Sequence, residues 1–176
     1  MAVFMESGMV FDLPDENVFL IERSEFVKHR QGLSSVECVY LKGKRLLLIE
    51  AKSSFPMAEN SEAYSANINE IAEKFIHSFE VFLSHIVKVN MLIPDAPDKR
   101  TKLLANYDFS KRKPIIFVLI VNCTKINKND MPAMIGAIQD RLSRRLRWHK
   151  SVWNTDSIAL DHESAIEREL IVSLEE

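Results

Sequence analysis

The spacing of hydrophobic and polar residues changes period several times along the chain. Val18 to Ser24 (VFLIERS) is dense in β-formers and predicts a strand. Ser35 to Leu41 (SVECVYL) alternates, Lys42-Gly43 is a turn signal, and Lys44 to Ser53 (KRLLLIEAKS) is a second β-rich run, so the pair predicts a β-hairpin. Phe55-Pro56 ends it. From Ser61 to Val89 the period lengthens: Ile68, Ile71, Ala72, Phe75, Phe79, Phe82, Leu83 and Ile86 follow three-four spacing, which predicts a long helix capped by Asn60 or Ser61. Residues 94–113 form a polar, basic connection. Ile115 to Val121 (IIFVLIV) is apolar at every position, as a central strand covered on both faces would be. Met131 to Trp148 predicts a second helix, with Asp130 as its cap and Pro132 in the first turn. Ser157 to Leu160 predicts a last short strand. Residues 1–16 show no clear period and read as an N-terminal arm with at most one short element. The expected architecture is α/β: a single-domain mixed β-sheet over residues 17–160, with a β-hairpin and flanking helices. An acidic, helical tail follows over residues 161–176.

Composition narrows the class. A chain of 176 residues has the length of one domain, and 47% hydrophobic with 27% charged residues excludes wholesale disorder. No apolar run approaches the ~18 residues of a membrane span, and no basic region precedes a long apolar stretch at the N-terminus. Two cysteines make neither a disulfide scaffold nor a four-cysteine zinc site; Cys38 and Cys123 lie in apolar runs and read as buried thiols. The expectation is a soluble cytoplasmic protein with no membrane partner. Gly8, Gly32, Gly43 and Gly136 are isolated, which argues against P-loop and Rossmann nucleotide sites.

The net charge of −2 conceals segregation. Residues 1–98 carry 9 basic and 15 acidic side chains, residues 99–150 carry 13 and 3, and residues 151–176 carry 1 and 7. The basic middle either attracts a polyanion or is neutralised by the acidic ends folding against it.

The hairpin carries the candidate chemistry. Glu50 and Lys52 are two apart on a strand and share a face. With Lys42-Gly43 as a two-residue turn, Leu41 pairs with Lys44 and Glu37 falls opposite Leu48. It is then diagonal to Glu50 at ~7–8 Å, close enough for both carboxylates to share one cation. A three-residue turn would put Glu37 on the other face. Two carboxylates on an apolar face call for a hard divalent cation such as Mg²⁺, beside which Lys52 could orient water and stabilise phosphate charge. The plainer alternative is an ion pair at a strand end.

The stretch Val36-Glu37-Cys38-Val39-Tyr40-Leu41, the Lys-Gly turn, and Leu46 to Ser54 with its Glu50-Ala51-Lys52 resembles the PD-(D/E)XK nuclease superfamily, which includes restriction endonucleases and Holliday-junction resolvases. The resemblance implies a restriction endonuclease-like fold and a Mg²⁺-dependent nuclease, with Mn²⁺ as a substitute. Glu37 takes the first acidic position, Glu50 the second and Lys52 the lysine, making these the catalytic residues. Glu22 completes the metal ligands with Glu37 and Glu50, and Glu25 is the second choice. The chain departs from the pattern at Glu37, where aspartate is usual, and lacks the preceding proline; Pro14-Asp15 lies too far upstream. The alternative function is a non-catalytic module of the same fold that binds nucleic acid or a protein partner. Many members cut as homodimers, and a chain this short leaves room for a partner to supply specificity.

Arg141, Arg144, Arg145, Arg147 and Lys150, with Trp148, His149 and Trp153 nearby, suit phosphate recognition and base stacking. Lys111, Arg112 and Lys113, with Lys99, Arg100 and Lys102, form a second basic stretch suited to nucleic-acid binding. Glu73, His77 and Glu80 share helix faces by spacing and read as a polar face; Asp161-His162-Glu163 is not read as a ligand cluster, because adjacent residues on a helix point different ways.

Overall fold

A computed structural model describes residues 1–23, 27, 33–57, 60–84 and 114–175 of the protein. The apolar run Ile115–Val121 forms strand β6 within the expected bounds. Ile115, Phe117, Leu119 and Val121 enter one core and Val118 and Ile120 another, so the two-residue period of the strand feeds both faces. Around it lies a five-stranded mixed sheet in the order β3 (Val18–Phe19), β4 (Cys38–Lys42), β5 (Arg45–Lys52), β6, β7 (Thr155–Asp161). β3, β4 and β5 are antiparallel neighbours, whereas β5, β6 and β7 run parallel. Parallel neighbours need crossovers. Helix α1 (Ser61–Ser84) lies between β5 and β6 in the chain, and helices α2 (Met131–Arg145) and α3 (Arg147–Trp153) between β6 and β7.

One face of the sheet is covered by α1 and α2. Leu46, Leu48, Phe117 and Leu119 pack there with Ile71, Phe75 and Phe79 of α1 and Met134, Ile138 and Leu142 of α2. Phe117 stacks on Phe75 at 5.1 Å and meets Phe79 edge-on at 5.9 Å. The other face is covered by a three-stranded antiparallel sheet, β1 (Ala2–Glu6), β2 (Met9–Leu13) and β8 (Ser173–Leu174), and by helix α4 (His162–Glu167). No helix among the described residues is long and apolar enough to cross a membrane.

Several expectations are corrected. The β4–β5 turn is Gly43-Lys44, with Lys42 opposite Arg45. Gly43 has φ +61° and is free to take the first central position of a II′ turn, where Lys42 would be strained. Residues 1–16, read as an arm, hold two strands: Ser7-Gly8, both at positive φ, close a hairpin whose β2 also pairs with β8. The first strand of the mixed sheet has only two residues, and Glu22 lies beyond it in a turn. The tail is helical to Glu167 and then returns as β8. The second helix breaks at Leu146 (φ −93°, ψ 5°), which keeps this side chain in the core while α3 starts anew. Asp130 precedes α2 without a side-chain capping bond, because its own backbone is already helical. Asn60 does cap α1, accepting from the Ala63 N–H at 3.3 Å.

The outer edge of β7 is closed by a side chain. Gln139 of α2 accepts from the Ala159 N–H at 2.6 Å and donates to the Ser157 carbonyl at 2.9 Å.

Candidate acidic site at the end of the mixed sheet

The β4–β5 register, extended by one residue from Cys38 opposite Ile49, sets Glu37 across from Glu50 rather than diagonal to it. Glu37 precedes β4, its N–H donating to the Ile49 carbonyl at 3.0 Å. The expected shared face survives because the turn shifted by a whole side-chain period. Two further acids arrive from elsewhere. Glu22 comes from the turn after β3, and Glu6 from the end of β1. The Ser7 hydroxyl beside Glu6 donates to the Ala51 carbonyl at 3.0 Å, which ties that hairpin to the end of β5. Carboxylate oxygens of Glu6, Glu22 and Glu37 all lie within 4.8 Å of one another.

Glu50 is fully buried, at 0% exposure. Its Oε1 accepts from Lys74 Nζ of α1 at 2.7 Å and lies 3.6 Å from Lys52 Nζ, while its Oε2 has no hydrogen-bond partner among the described residues. A buried carboxylate oxygen without a partner is costly and marks a site short of a cation or donor. Lys52 donates to Glu70 Oε1 at 2.7 Å.

The electrostatics follow from this crowding. Glu37 is pushed up to about 9, first by burial and then by the charges of Glu50, Glu6 and Glu22. Burial likewise raises the Glu50 carboxyl, against the pull of Lys74 and Lys52. Burial opposes the charge on Lys74, yet the carboxylates of Glu50, Glu37 and Glu70 hold it above its ordinary value. The hydrogen bond from Lys52 holds Glu70 below the usual carboxylate range.

The site thus contains Glu22, Glu37, Glu50 and Lys52 as the sequence suggests, plus Glu6, Glu70 and Lys74. The oxygen donors of Glu6, Glu22 and Glu37 fit a hard divalent cation, and nothing in the donor set selects among such ions. Glu6 was signalled only by the alternation of Phe4, Met9, Phe11 and Leu13 around Ser7-Gly8. Lys74 was signalled by its four-residue spacing from Glu70.

The remaining candidates are dispersed. Arg141, Arg144 and Arg145 lie on the last turns of α2, and Arg147 and Lys150 on α3. Lys150 pairs with Asp156 at 3.0 Å and Lys128 with Glu163 at 2.9 Å, so the acidic C-terminal segment neutralises part of the basic middle. Arg144 pairs with Asp140, whereas Arg141 and Arg147 have no ion pair among the described residues. Glu25, Lys99, Arg100, Lys102, Lys111, Arg112 and Lys113 lie outside the described residues. His77 meets the Ser34 hydroxyl at 3.2 Å, and His162 accepts from the Cys123 N–H at 3.1 Å. Cys38 and Cys123 are buried free thiols, as expected.

Comparison with family models, curated proteins and solved structures finds no match to this chain. The class that the fold and the site define is therefore a mixed α/β protein with a candidate acidic cation site at the end of its main sheet.

Proposed function

We propose that the protein is a divalent-metal-dependent nuclease of the PD-(D/E)XK type, hydrolysing phosphodiester bonds in nucleic acid. The observation that carries this reading is the buried, half-unpartnered Glu50 facing Glu37, with Lys52 two residues on and Glu22 and Glu6 converging from distant parts of the chain. The strand order supports it: an antiparallel meander, a helical crossover and a parallel strand, with the acids at the sheet end where the crossover departs. In this reading Glu37, Glu50, Glu22 and Glu6 hold Mg²⁺ or Mn²⁺. A bound cation would supply Lewis-acid stabilisation of the phosphate. Lys52, released from Glu70, donates to the attacking water and to a phosphate oxygen, and Lys74 keeps Glu50 oriented through Oε1. Arg141, Arg144, Arg145, Arg147 and Lys150 hold the nucleic-acid backbone, with affinity falling as salt rises.

The test is cleavage of duplex, single-stranded and branched DNA and of RNA by wild type and Lys52→Ala, with Mg²⁺, Mn²⁺ or EDTA. Metal-dependent cutting lost in the variant supports the reading; cutting undiminished in the variant removes Lys52 from the site. A second reading, a non-catalytic binding module of the same fold, draws on one observation. Lys74 and Lys52 already balance much of the Glu50 charge internally. It predicts no Mg²⁺- or Mn²⁺-dependent thermal shift, whereas the nuclease reading predicts one that Glu50→Gln abolishes.

A further inference from the structure

A cavity lies between α1 and α2. It has a volume of about 300 Å³, and Tyr64, Ser65 and Asn69 of α1 line it with Arg141, Arg144 and Arg145 of α2. Three arginines line it and, among the described residues, no carboxylate does. Asp140 holds Arg144 through two contacts, 2.5 and 3.1 Å. Arg145 Nε donates to Asn69 Oδ1 at 3.0 Å, which fixes its planar fork against α1. Arg141 has no hydrogen bond or ion pair among the described residues. Complementing the α2 dipole needs cations only in the final turn, which Arg144 and Arg145 already supply; Arg141 is a turn earlier.

Tyr64 gives the independent observation. It is 4% exposed, its ring rests edge-on against Phe55 at 5.3 Å, and its buried hydroxyl has no hydrogen-bond partner among the described residues. Burial raises that hydroxyl above its ordinary value, and the charges of Arg141 and Asp140 act on it with opposite sign. An unsatisfied hydroxyl in a cleft that an unpaired arginine also lines suits an oxyanion, and arginine forks suit phosphate.

We propose that the α1–α2 cleft is a phosphate-binding subsite, in which Arg141 and Arg145 hold the oxyanion and the Tyr64 hydroxyl donates to it. Asn69 and Glu70 are consecutive on α1, and Glu70 bonds Lys52, so the cleft and the acidic site flank the same helical turn. Resting on the nuclease reading, the phosphate is one of the nucleic-acid backbone, beyond the bond that is cut.

Fluorescence anisotropy of a labelled single-stranded DNA in EDTA, over a salt series, tests this with Arg141→Gln and Tyr64→Phe. Arg141→Gln should bind about tenfold more weakly and lower the slope of log affinity against log salt by about one. Tyr64→Phe should bind about threefold more weakly with the slope unchanged. Lys128→Gln, a cation outside the cleft, should match wild type. In a second arm, thermal shifts with inorganic phosphate and a nucleoside 5′-monophosphate separate the sources. A shift lost in Arg141→Gln, without DNA binding by wild type, assigns the cleft to a free phosphate ester. DNA binding weakened in both variants assigns it to the backbone. Both variants equal to wild type in both arms overturns the proposal, whether or not the protein cuts. Variants weakened as expected in a protein that never cuts retain the cleft and remove the nuclease.

Discussion

Replacing Glu37 by glutamine should flatten the pH dependence of stability in the metal-free protein. The Glu37 carboxyl has its pKa pushed from 4.5 to about 9 on folding. Between those values the unfolded chain releases a proton that the folded chain keeps, so stability is full below the unfolded value and is lost as pH rises towards the folded one. The slope is about 1.4 kcal/mol per pH unit for one proton. His149, buried and shifted below its ordinary 6.5, opposes this trend at lower pH, and the thiols of Cys38 and Cys123 begin to ionise in the unfolded chain near 9. The clean window therefore runs from about pH 6.5 to about pH 8.5, across which Glu37 accounts for at most about 3 kcal/mol. For a chain of this size that is a fall in Tm of roughly 6 to 12 °C. Thermal unfolding followed by circular dichroism in EDTA reads it directly. Wild type should lose stability across the window. Glu37→Gln, neutral throughout, should lose most of that slope. A wild-type Tm that is level or rises, or a variant that falls in parallel, would refute the claim that Glu37 is held neutral by its neighbours.

Lys74→Met removes the partner of a fully buried carboxylate and should cost about 3 kcal/mol in urea melts, with the loss partly recovered in the Lys74→Met, Glu50→Gln double variant. Gly43→Ala should lose about 1 kcal/mol, although a Cβ there meets nothing within 4 Å, because the positive φ alone is strained; chemical denaturation of the two chains measures it. Phe117→Ala should cost about 3–5 kcal/mol by the same assay, since it empties the centre of the core shared with Phe75 and Phe79.

What the sequence revealed depends on how local each cause is. Ile115–Val121 is readable because its apolar run reflects burial on both faces. Glu50 and Lys52 are readable as neighbours because a strand alone fixes their common face. The register of Glu37 was legible only in its parity: glycine at position 43 rather than lysine at 42 takes the strained turn position, which moves Glu37 to face Glu50 directly. Glu6 was hidden because its place depends on a hairpin docked through Ser7 onto β5, a contact 44 residues away in sequence. The break at Leu146 carries no proline or glycine; the competition of Leu146 and His149 for the interior decides it, and no local rule encodes that. The arginines of α2 were legible as a group, but the cleft that all three line is formed with the opposing helix, which local spacing does not encode.

The amide of Gln139 occupies two of the backbone groups through which another strand would join β7. Sheet edges are templates, and this one is shut by a movable part. α2 is seated on the sheet by Met134, Ile138 and Leu142, so the latch holds only while those three side chains stay docked. A fluctuation that lifts the helix uncovers an apolar surface and an open backbone edge together. Part of this edge's protection thus resides in a helix's hold on its own core.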